Sequence, residues 1–222
     1  MAPFDPTWEE VYQNTGFGGG YPDLELVRFV ARNLYSKDRA STRILEVGCG
    51  VGANLWYLAR EGFDVTGLDG SATAIKKCSE RFKTQNLKGH LVVGDACALD
   101  FPDHYFDAVA DIECIYANTL SDIRKILGEI HRVLKPGGHF FSMMFATETH
   151  GYGLGKELEP NTYAEIPNRI FGGRGIAHFF TEPEVKTILE ETGFKKSEVN
   201  FLFRSEKHQG ELIKEWIVQA QT

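Results

Sequence analysis

The chain has 222 residues and a formal net charge of −7 at pH 7, with 42% hydrophobic and 25% charged residues. This composition is ordinary for a folded globular protein, and it excludes wholesale disorder, collagen and fibrous repeats. The length suits one domain of ordinary size with insertions, so we expect a single domain over residues 1–222.

Charge, cysteine and hydrophobic patterns indicate which partners to expect. Seven acids and no Lys or Arg lie between Lys88 and Arg124, so this region would repel a nucleic-acid backbone. The four cysteines lack CxxC spacing, which predicts reduced thiols and no metal site. No apolar stretch approaches the ~18–20 residues of a membrane span, and residues 1–20 lack the apolar run of a signal peptide. We therefore expect a cytoplasmic protein without a membrane span.

The predicted elements begin with residues 1–40, a helical cap with a helix near 23–36, and then alternate between strand and helix. Strands are predicted at 43–47, 64–68, 90–93, 107–111 and 139–145, and helices at 52–60, 71–85 and 121–133. Ser71 is an N-cap candidate. The helix at 121–133 ends before Pro136-Gly137-Gly138, which cannot continue a helix.

The pattern is irregular over residues 146–180, which we interpret as an insert or lid that binds the substrate. Regular structure returns at 181–222, with a helix that begins at Thr181 and strands at 197–204 and 212–219. The link between these strands is too short for a helical crossover, so they should pair antiparallel. The sequence predicts an α/β fold with a doubly wound, seven-stranded, mostly parallel sheet, an antiparallel final strand and helices on both faces.

A glycine-rich loop, Gly48-Cys49-Gly50-Val51-Gly52, follows the first strand and leads into a helix. Glycines there let the backbone approach a ligand beside exposed helix N–H groups. Asp69 ends the second strand, where its carboxylate is able to accept hydrogen bonds from ribose hydroxyls. The Gly48-x-Gly50-x-x-Ala53 pattern also satisfies a dinucleotide fingerprint, so an NAD(P)-dependent oxidoreductase remains an alternative.

Further motifs make the chain resemble the class I methyltransferases that depend on S-adenosyl-L-methionine (SAM). These are Glu46 before the glycines, Asp69-Gly70-Ser71, Gly94-Asp95-Ala96 and Leu134-Lys135-Pro136-Gly137-Gly138. The similarity is greatest to small-molecule methyltransferases of the ubiquinone/menaquinone-biosynthesis type. It implies a Rossmann-like fold and methyl transfer to oxygen or nitrogen of a small-molecule acceptor. S-adenosylhomocysteine would be the product, and no metal is needed. A non-catalytic regulatory protein that binds SAM is a third possibility.

The resemblance also implies residue roles in the SAM-binding core, residues 41–145. The glycine loop, with Gly48, Cys49 and Gly50, would hold the methionine moiety. Asp69, followed by Gly70 and Ser71, would hold the ribose. The adenine edge would lie at Asp95 and Ala96, while Glu46 and Asp111 would orient the amino-acid end.

Acceptor-binding residues are predicted around the cap and the insert. His150 and His178 are the candidate catalytic proton acceptors. The aromatic candidates are Tyr12, Tyr21, Tyr116 and Tyr163. Arg169 and Arg174 are candidates to bind a carboxylate or phosphate of the substrate. The oligomeric state, monomer or homodimer, stays open.

Overall fold

The computed structural model describes residues 4–206 and 210–222. Its strands are β1 (Arg43–Val47), β2 (Asp64–Asp69), β3 (His90–Val93), β4 (Phe106–Ile112), β5 (Leu134–Phe145), β6 (Lys156–Glu159), β7 (Thr162–Ala164), β8 (Ala177–His178), β9 (Lys195–Glu206) and β10 (Glu211–Gln221). Its helices are α1 (Pro6–Asn14), α2 (Leu24–Asn33), α3 (Ala53–Arg60), α4 (Ala72–Thr84), α5 (Leu120–Val133) and α6 (Glu182–Glu191). Residues 1–3 of the predicted cap and 207–209 of the predicted link lie outside the described residues.

The main sheet has seven strands in the order β3-β2-β1-β4-β5-β10-β9. Strand β1 pairs in parallel with β2 and β4, whereas β10 pairs antiparallel with both β5 and β9. The predicted mostly parallel sheet with an antiparallel final strand is therefore confirmed. The carboxyl ends of β1 to β4 meet at one edge, the edge at which open α/β sheets bind ligands.

Apolar side chains pack on both faces of this sheet. On one face, α5 buries Ile123, Ile126 and Ile130, at the spacing that the sequence predicted. On the other face, Phe29 of α2 and Leu58 of α3 belong to a second apolar cluster. Helices therefore cover both faces, which confirms the predicted layer arrangement.

Local signals set the ends of two helices. The Oγ of Ser71 accepts a hydrogen bond from the N–H of Ala74 at 3.0 Å, so the predicted N-cap of α4 is confirmed. Helix α5 ends at Val133, and β5 begins at once at Leu134 rather than at the predicted residue 139. The Pro136-Gly137-Gly138 turn lies within this strand as an irregularity in its pairing with β4.

The segment 146–180 is more regular than the sequence indicated. It contains a small antiparallel sheet in the order β6-β7-β8. These strands are two to four residues long, too short for alternation to show in the sequence. The Nε1–H of Trp216 donates to the carbonyl of Phe180 at 2.8 Å, which ties this segment to β10. Among the described residues, no helix has both the length and the apolar character that crossing a membrane requires.

Arg132 on α5 fixes the segment between β3 and β4. Its guanidinium donates to the carbonyls of Leu99 and Phe101 at 2.7 and 2.8 Å, and to carboxylates of Asp103 and Glu129 at 2.7 and 2.8 Å. The same segment begins with the predicted adenine-binding residues. The contacts of Arg132 therefore help to fix the segment in which the predicted adenine-binding residues lie.

We expect Arg132→Met to lower the free energy of unfolding by ~1–2 kcal/mol, because several hydrogen bonds to a partly buried charged group are lost. Urea unfolding followed by circular dichroism measures this change. The matched control is Arg124→Met, which removes one exposed ion pair with Glu191 and should cost ~0–0.5 kcal/mol. Equal losses for the two variants would contradict the assigned role of Arg132.

Candidate active site

The glycine loop after β1 is packed too closely for side chains. Gly48 and Gly50 have φ angles of +68° and +52°, a region that L residues rarely adopt. A Cβ atom at Gly48 would lie 2.3 Å from the Sγ of Cys114, and one at Gly50 would lie 2.7 Å from the Tyr12 hydroxyl. Gly48, Cys49 and Gly50 all line one cleft, which we call the cavity. The loop therefore brings main chain close to any ligand bound there.

Asp69, at the end of β2, connects this loop to α4. Its Oδ2 accepts from the N–H of Gly50 at 2.9 Å, and its Oδ1 accepts from the N–H of Ser71 at 2.8 Å. Burial raises the pKa of Asp69, and these two N–H donors oppose the rise. A carboxylate oxygen is able to accept more than one hydrogen bond. Asp69 therefore keeps accepting capacity toward the cavity that it lines.

Ser71 stabilises the fold around the cavity and is not part of the described cavity lining. Gly70 lines the cavity, but Ser71 caps α4 and donates its hydroxyl hydrogen to the carboxylate of Glu9. The hydroxyl of Thr73 also donates to Glu9, and these bonds lower the pKa of Glu9 to about 2. Since Glu9 belongs to α1, the start of α4 holds α1 beside the cavity.

Glu46, on β1, is a buried carboxyl with one unsatisfied oxygen. Its Oε1 accepts from the Nδ2 of Asn54 at 2.9 Å, and its Oε2 has no partner in the described structure. Burial raises the pKa of Glu46 to about 8, although the bond from Asn54 opposes the rise. The side-chain carbonyl of Asn54 accepts from the N–H of Asp23 at 2.8 Å, which fixes its amide toward Glu46. Glu46 lines the cavity, and no cationic side chain within the described residues pairs with it.

Asp95 and Ala96, directly beyond β3, complete the part of the cavity formed by the first three strands. The Oδ1 of Asp95 accepts from the N–H of Cys97 at 2.8 Å, which holds the turn that carries both residues. The structure thus brings Glu46, Asp69 and Asp95 to one cavity, as the sequence predicted.

Asp111 has a different environment from the one predicted. It is fully buried, and it lies outside the described lining of the cavity. Its Oδ1 accepts from the N–H groups of Cys114 and Ile115, both at 3.0 Å, and its Oδ2 accepts from the hydroxyl of Ser142. These bonds hold the loop after β4. Asp111 therefore supports the loop instead of reaching a ligand, which corrects the expected contact with the amino-acid end.

One part of the cavity is largely aromatic, and we call it the aromatic side. The rings of Trp8 and Phe17 lie 5.6 Å apart, and the guanidinium carbon of Arg174 lies 4.7 Å from the Phe17 centroid. The ring of Tyr12 lies 6.3 Å from that of Trp8 and 5.7 Å from that of Phe17, and Tyr116 lines the same cavity. Three predicted substrate-binding residues, Tyr12, Tyr116 and Arg174, are therefore at the cavity.

Tyr21 and Tyr163 are not brought to the cavity. Tyr21 is 82% exposed and packs edge to face with Trp56 at 6.4 Å. Tyr163 is buried in β7 against Tyr152 and Phe179. Neither residue is in the described lining, so the structure does not place them where the sequence predicted substrate-binding residues.

Arg169 also lies away from the described cavity lining. Its guanidinium is exposed and forms ion pairs with the carboxylates of Glu206 and Glu211. These partners satisfy the charge that was expected to bind a substrate anion. Of the two arginines singled out from the sequence, only Arg174 faces the cavity.

The two histidines predicted as proton acceptors also lie outside the described lining. His150 is exposed, and its backbone N–H donates to the backbone carbonyl of Leu212 on β10 at 2.7 Å. His178 is fully buried, with Nδ1 2.7 Å from the Thr162 hydroxyl and Nε2 3.4 Å from a carboxylate oxygen of Glu184. The expectation that these rings face the acceptor is not met, because the insert pairs with β10 and within its own small sheet.

Sequence reasoning missed several cavity residues, notably Trp8, Phe17, Asn54 and Glu113. One signal for α1 was present in the sequence: Asp5 precedes Pro6, and its Oδ1 accepts from the N–H of Thr7 at 2.9 Å as an N-cap. No comparable local signal identifies Glu113. It stands in the loop after β4 with φ of +55°, and its surroundings come from distant strands.

Comparison with known proteins identifies the domain. Residues 44–138 match the family described as "Methyltransferase domain". A fatty-acid O-methyltransferase of Mycolicibacterium smegmatis is 42% identical over 105 residues, covering 46% of this chain and 37% of that protein. A sterol 24-C-methyltransferase of Gibberella zeae is 30% identical over 198 residues, covering 85% of this chain and 49% of that protein. The chain thus spans half or less of the length of these relatives.

A solved structure gives an independent comparison. A SAM-dependent methyltransferase from Methanosarcina mazei has a TM-score of 0.71 and 25% identity, covering 85% of this chain and 96% of that chain. The matched family region runs from β1 to the Pro136-Gly137-Gly138 turn, and it contains the glycine loop, Asp69 and Asp95. Residues 44–138 are therefore a methyltransferase domain, and the chain has the Rossmann-like fold of the class I SAM-dependent methyltransferases.

Proposed function

We propose that the protein transfers a methyl group from SAM to an oxygen or nitrogen atom of a small molecule. The observation that carries this proposal is the convergence of Glu46, Asp69 and Asp95 beside the glycine loop. The relatives named for fatty-acid and sterol methylation support a small-molecule acceptor. The second of them is named for methylation at carbon, whereas the polar groups that line the cavity of this chain, Arg174 and Tyr116, favour an acceptor with a polar atom.

The residues present fit SAM. The unpartnered oxygen of Glu46 lacks a cationic partner, and the α-ammonium group of the methionine moiety is of that kind. The main chain of the glycine loop lines the cavity and would contact the moiety itself, and a side chain at Gly48 or Gly50 would collide with Cys114 or Tyr12. Asp69 has spare accepting capacity for ribose hydroxyls, and Asp95 lines the same cavity.

Bound SAM supplies a methyl group that is already electrophilic because it is attached to a sulfonium. The protein then has to hold the acceptor in line with that methyl group. Positioning of this kind supplies ~7–11 kcal/mol in well-oriented reactions. Trp8 and Phe17 cover the aromatic side and exclude water, while Arg174 and Tyr116 provide polar groups that orient an acceptor. We further propose that residues 1–222 act as one domain, with residues 41–145 binding SAM and residues 1–40 and 146–180 covering the acceptor.

We expect the purified protein to bind SAM in isothermal titration calorimetry at micromolar concentrations, whereas NADH should produce no binding heat. Incubation with SAM and a pool of small metabolites should yield S-adenosylhomocysteine, detected by mass spectrometry. Asp69→Ala should weaken SAM binding by about 10- to 100-fold, because hydrogen bonds to a buried carboxylate are lost. The exposed Glu80→Gln on α4 is the matched control. Binding of NADH without binding of SAM would refute the proposal and favour an oxidoreductase.

Glu46 should couple SAM binding to proton release. Its pKa of about 8 means that it holds a proton at pH 7, and a neighbouring ammonium group would favour the ionised form. Affinity for SAM should therefore rise with pH up to about 8, by at most about tenfold per unit. Above that pH the dependence on Glu46 should disappear, since Glu46 is then already ionised.

Calorimetry at pH 7 in phosphate and in Tris buffer measures this proton release, because the two buffers have different ionisation enthalpies. The wild-type protein should release up to one proton per SAM bound, and Glu46→Gln should abolish this part of the release while weakening binding. Glu80→Gln should behave like the wild type. Equal proton release by the wild type and Glu46→Gln would show that Glu46 does not contact the ammonium group.

A further inference from the structure

We propose that the methyl acceptor is an amphiphile whose carboxylate binds Arg174 and Tyr116, and that an oxygen of this carboxylate receives the methyl group. The inference rests on the proposed function and narrows its substrate class. It predicts a methyl ester as product. The residues that support it are all on the aromatic side of the cavity or directly behind it.

Arg174 is a cation without a carboxylate partner among the residues that the structure describes. It is half-buried, lines the cavity and packs its guanidinium over Phe17. Within residues 4–206 and 210–222, no carboxylate forms an ion pair with it, although Arg132 and Arg204 each have one. A partly desolvated charge favours binding of an opposite one, and the planar guanidinium matches a carboxylate in bidentate geometry.

Tyr116 adds a hydrogen-bond donor to the lining of the same cavity. The residue is 3% exposed and lines the cavity, and its hydroxyl makes no hydrogen bond within the described part of the chain. Burial and the carboxyl of Glu113 raise the pKa of Tyr116, while the Arg174 guanidinium opposes the rise. Tyr116 is thus a neutral phenol near Arg174, which is able to donate to an anion.

Glu113 lines the same cavity, so its charge decides whether an anion is tolerated. The charged groups that face it are Glu215 from β10, Arg204 from β9 and Asp23 before α2. Glu215 is fully buried; its Oε2 accepts from Arg204, and its Oε1 has no partner in the described structure. Two neighbouring carboxyls with one guanidinium are electrically neutral only when they share one proton.

That proton is best placed on Glu113, because Arg204 stabilises the carboxylate form of Glu215. Burial and the neighbouring Glu215 raise the pKa of Glu113 well above its usual range, in agreement with this assignment. The unpartnered Oε1 of Glu215 then becomes the acceptor of the Glu113 proton. With that proton, the charges of Glu113, Glu215 and Arg204 sum to zero. Arg174 then supplies a cation to the cavity, which the carboxylate of Asp5 also lines.

The remaining lining suits an apolar body attached to the carboxylate. Trp8, Phe17, Ile112 and Ala117 all line the cavity. The walls offer apolar surface beside the donors, which matches the two parts of an amphiphile.

The reaction balances without a base. A lone pair of the carboxylate oxygen forms the new bond to the methyl carbon, and the bond from that carbon to sulfur breaks with its electron pair passing to sulfur. The products are a methyl ester and S-adenosylhomocysteine, and no proton is released. An alcohol or ammonium acceptor would instead have to lose a proton. The positions of His150 and His178 outside the described lining agree with a base-free reaction.

The substrate class is tested with the full chain, SAM, and octanoic, dodecanoic and hexadecanoic acids beside the matched primary alcohols and amines. Mass spectrometry measures methylated product and S-adenosylhomocysteine, and a pH indicator measures protons per turnover. We expect kcat/KM for at least one acid to exceed that of its alcohol and amine by about tenfold or more, with no proton released. Faster turnover of an alcohol or amine, or one proton per turnover with the acid, would overturn the proposal.

Variants test the assigned residues with the best acid. Arg174→Met should raise its KM by about 10- to 100-fold and leave the Kd for SAM within about twofold, while Tyr116→Phe should raise KM by about 3- to 10-fold. Arg124→Met, which changes an exposed arginine, is the matched control. If Arg174→Met weakens SAM binding as much as acid binding, Arg174 serves the cofactor and the proposal is wrong.

The two proposals fail in different ways. If no acid is methylated and calorimetry shows no acid binding to the protein saturated with S-adenosylhomocysteine, the inference is overturned. Acid binding without methylation also overturns it, because the carboxylate is then not the acceptor. In both cases, SAM binding together with S-adenosylhomocysteine formation from a metabolite pool would leave the proposed function intact. Absence of SAM binding would refute the proposed function itself.

Discussion

The carboxylate of Asp69 is the group on which the geometry of the cavity depends. It receives one backbone N–H from the glycine loop, at Gly50, and another from the start of α4, at Ser71. Ser71 in turn caps α4 and binds Glu9 of α1. One buried acid therefore links the loop after β1, the helix after β2 and the helix beside the cavity. Removing it would leave buried N–H groups without partners, which is more costly than the loss of the bonds alone.

Two other buried carboxyls, Glu46 and Glu113, acquire different properties from their neighbours. Glu46 has an amide donor, Asn54, and one oxygen without a partner, so it attracts a cation. Glu113 faces a second carboxyl, Glu215, which favours the protonated form. Burial thus raises the pKa of both carboxyls, but Glu46 has an amide neighbour whereas Glu113 has a second carboxyl as its neighbour. This difference is the basis on which the proposed cationic cofactor and the proposed anionic acceptor would share one cleft.

The parts of the fold that sequence reasoning predicted are those set by local pattern and by the geometry of parallel strands. Glu46, Asp69 and Asp95 each lie at or just beyond the end of a parallel strand, so their convergence follows from the sheet alone. Arg169 and Arg174 are only five positions apart in an insert without periodicity. Which of them faces the cavity depends on distant groups: carboxylates of β9 and β10 bind Arg169. The role of Glu113 depends on β10 in the same way, and no local signal reports it.

The contacts of Arg174 connect the aromatic side of the cavity to the same framework. Gly173 and Gly175, on either side of it, have φ angles of +72° and +78°. A Cβ atom at Gly175 would lie 2.2 Å from the Oδ2 of Asp5, the residue that caps α1. The segment that carries Arg174 therefore rests on the start of α1, and α1 is held through Ser71 to Asp69. The residue proposed to bind the acceptor, Arg174, and the one proposed to bind the cofactor, Asp69, are in this way positioned by one continuous set of contacts.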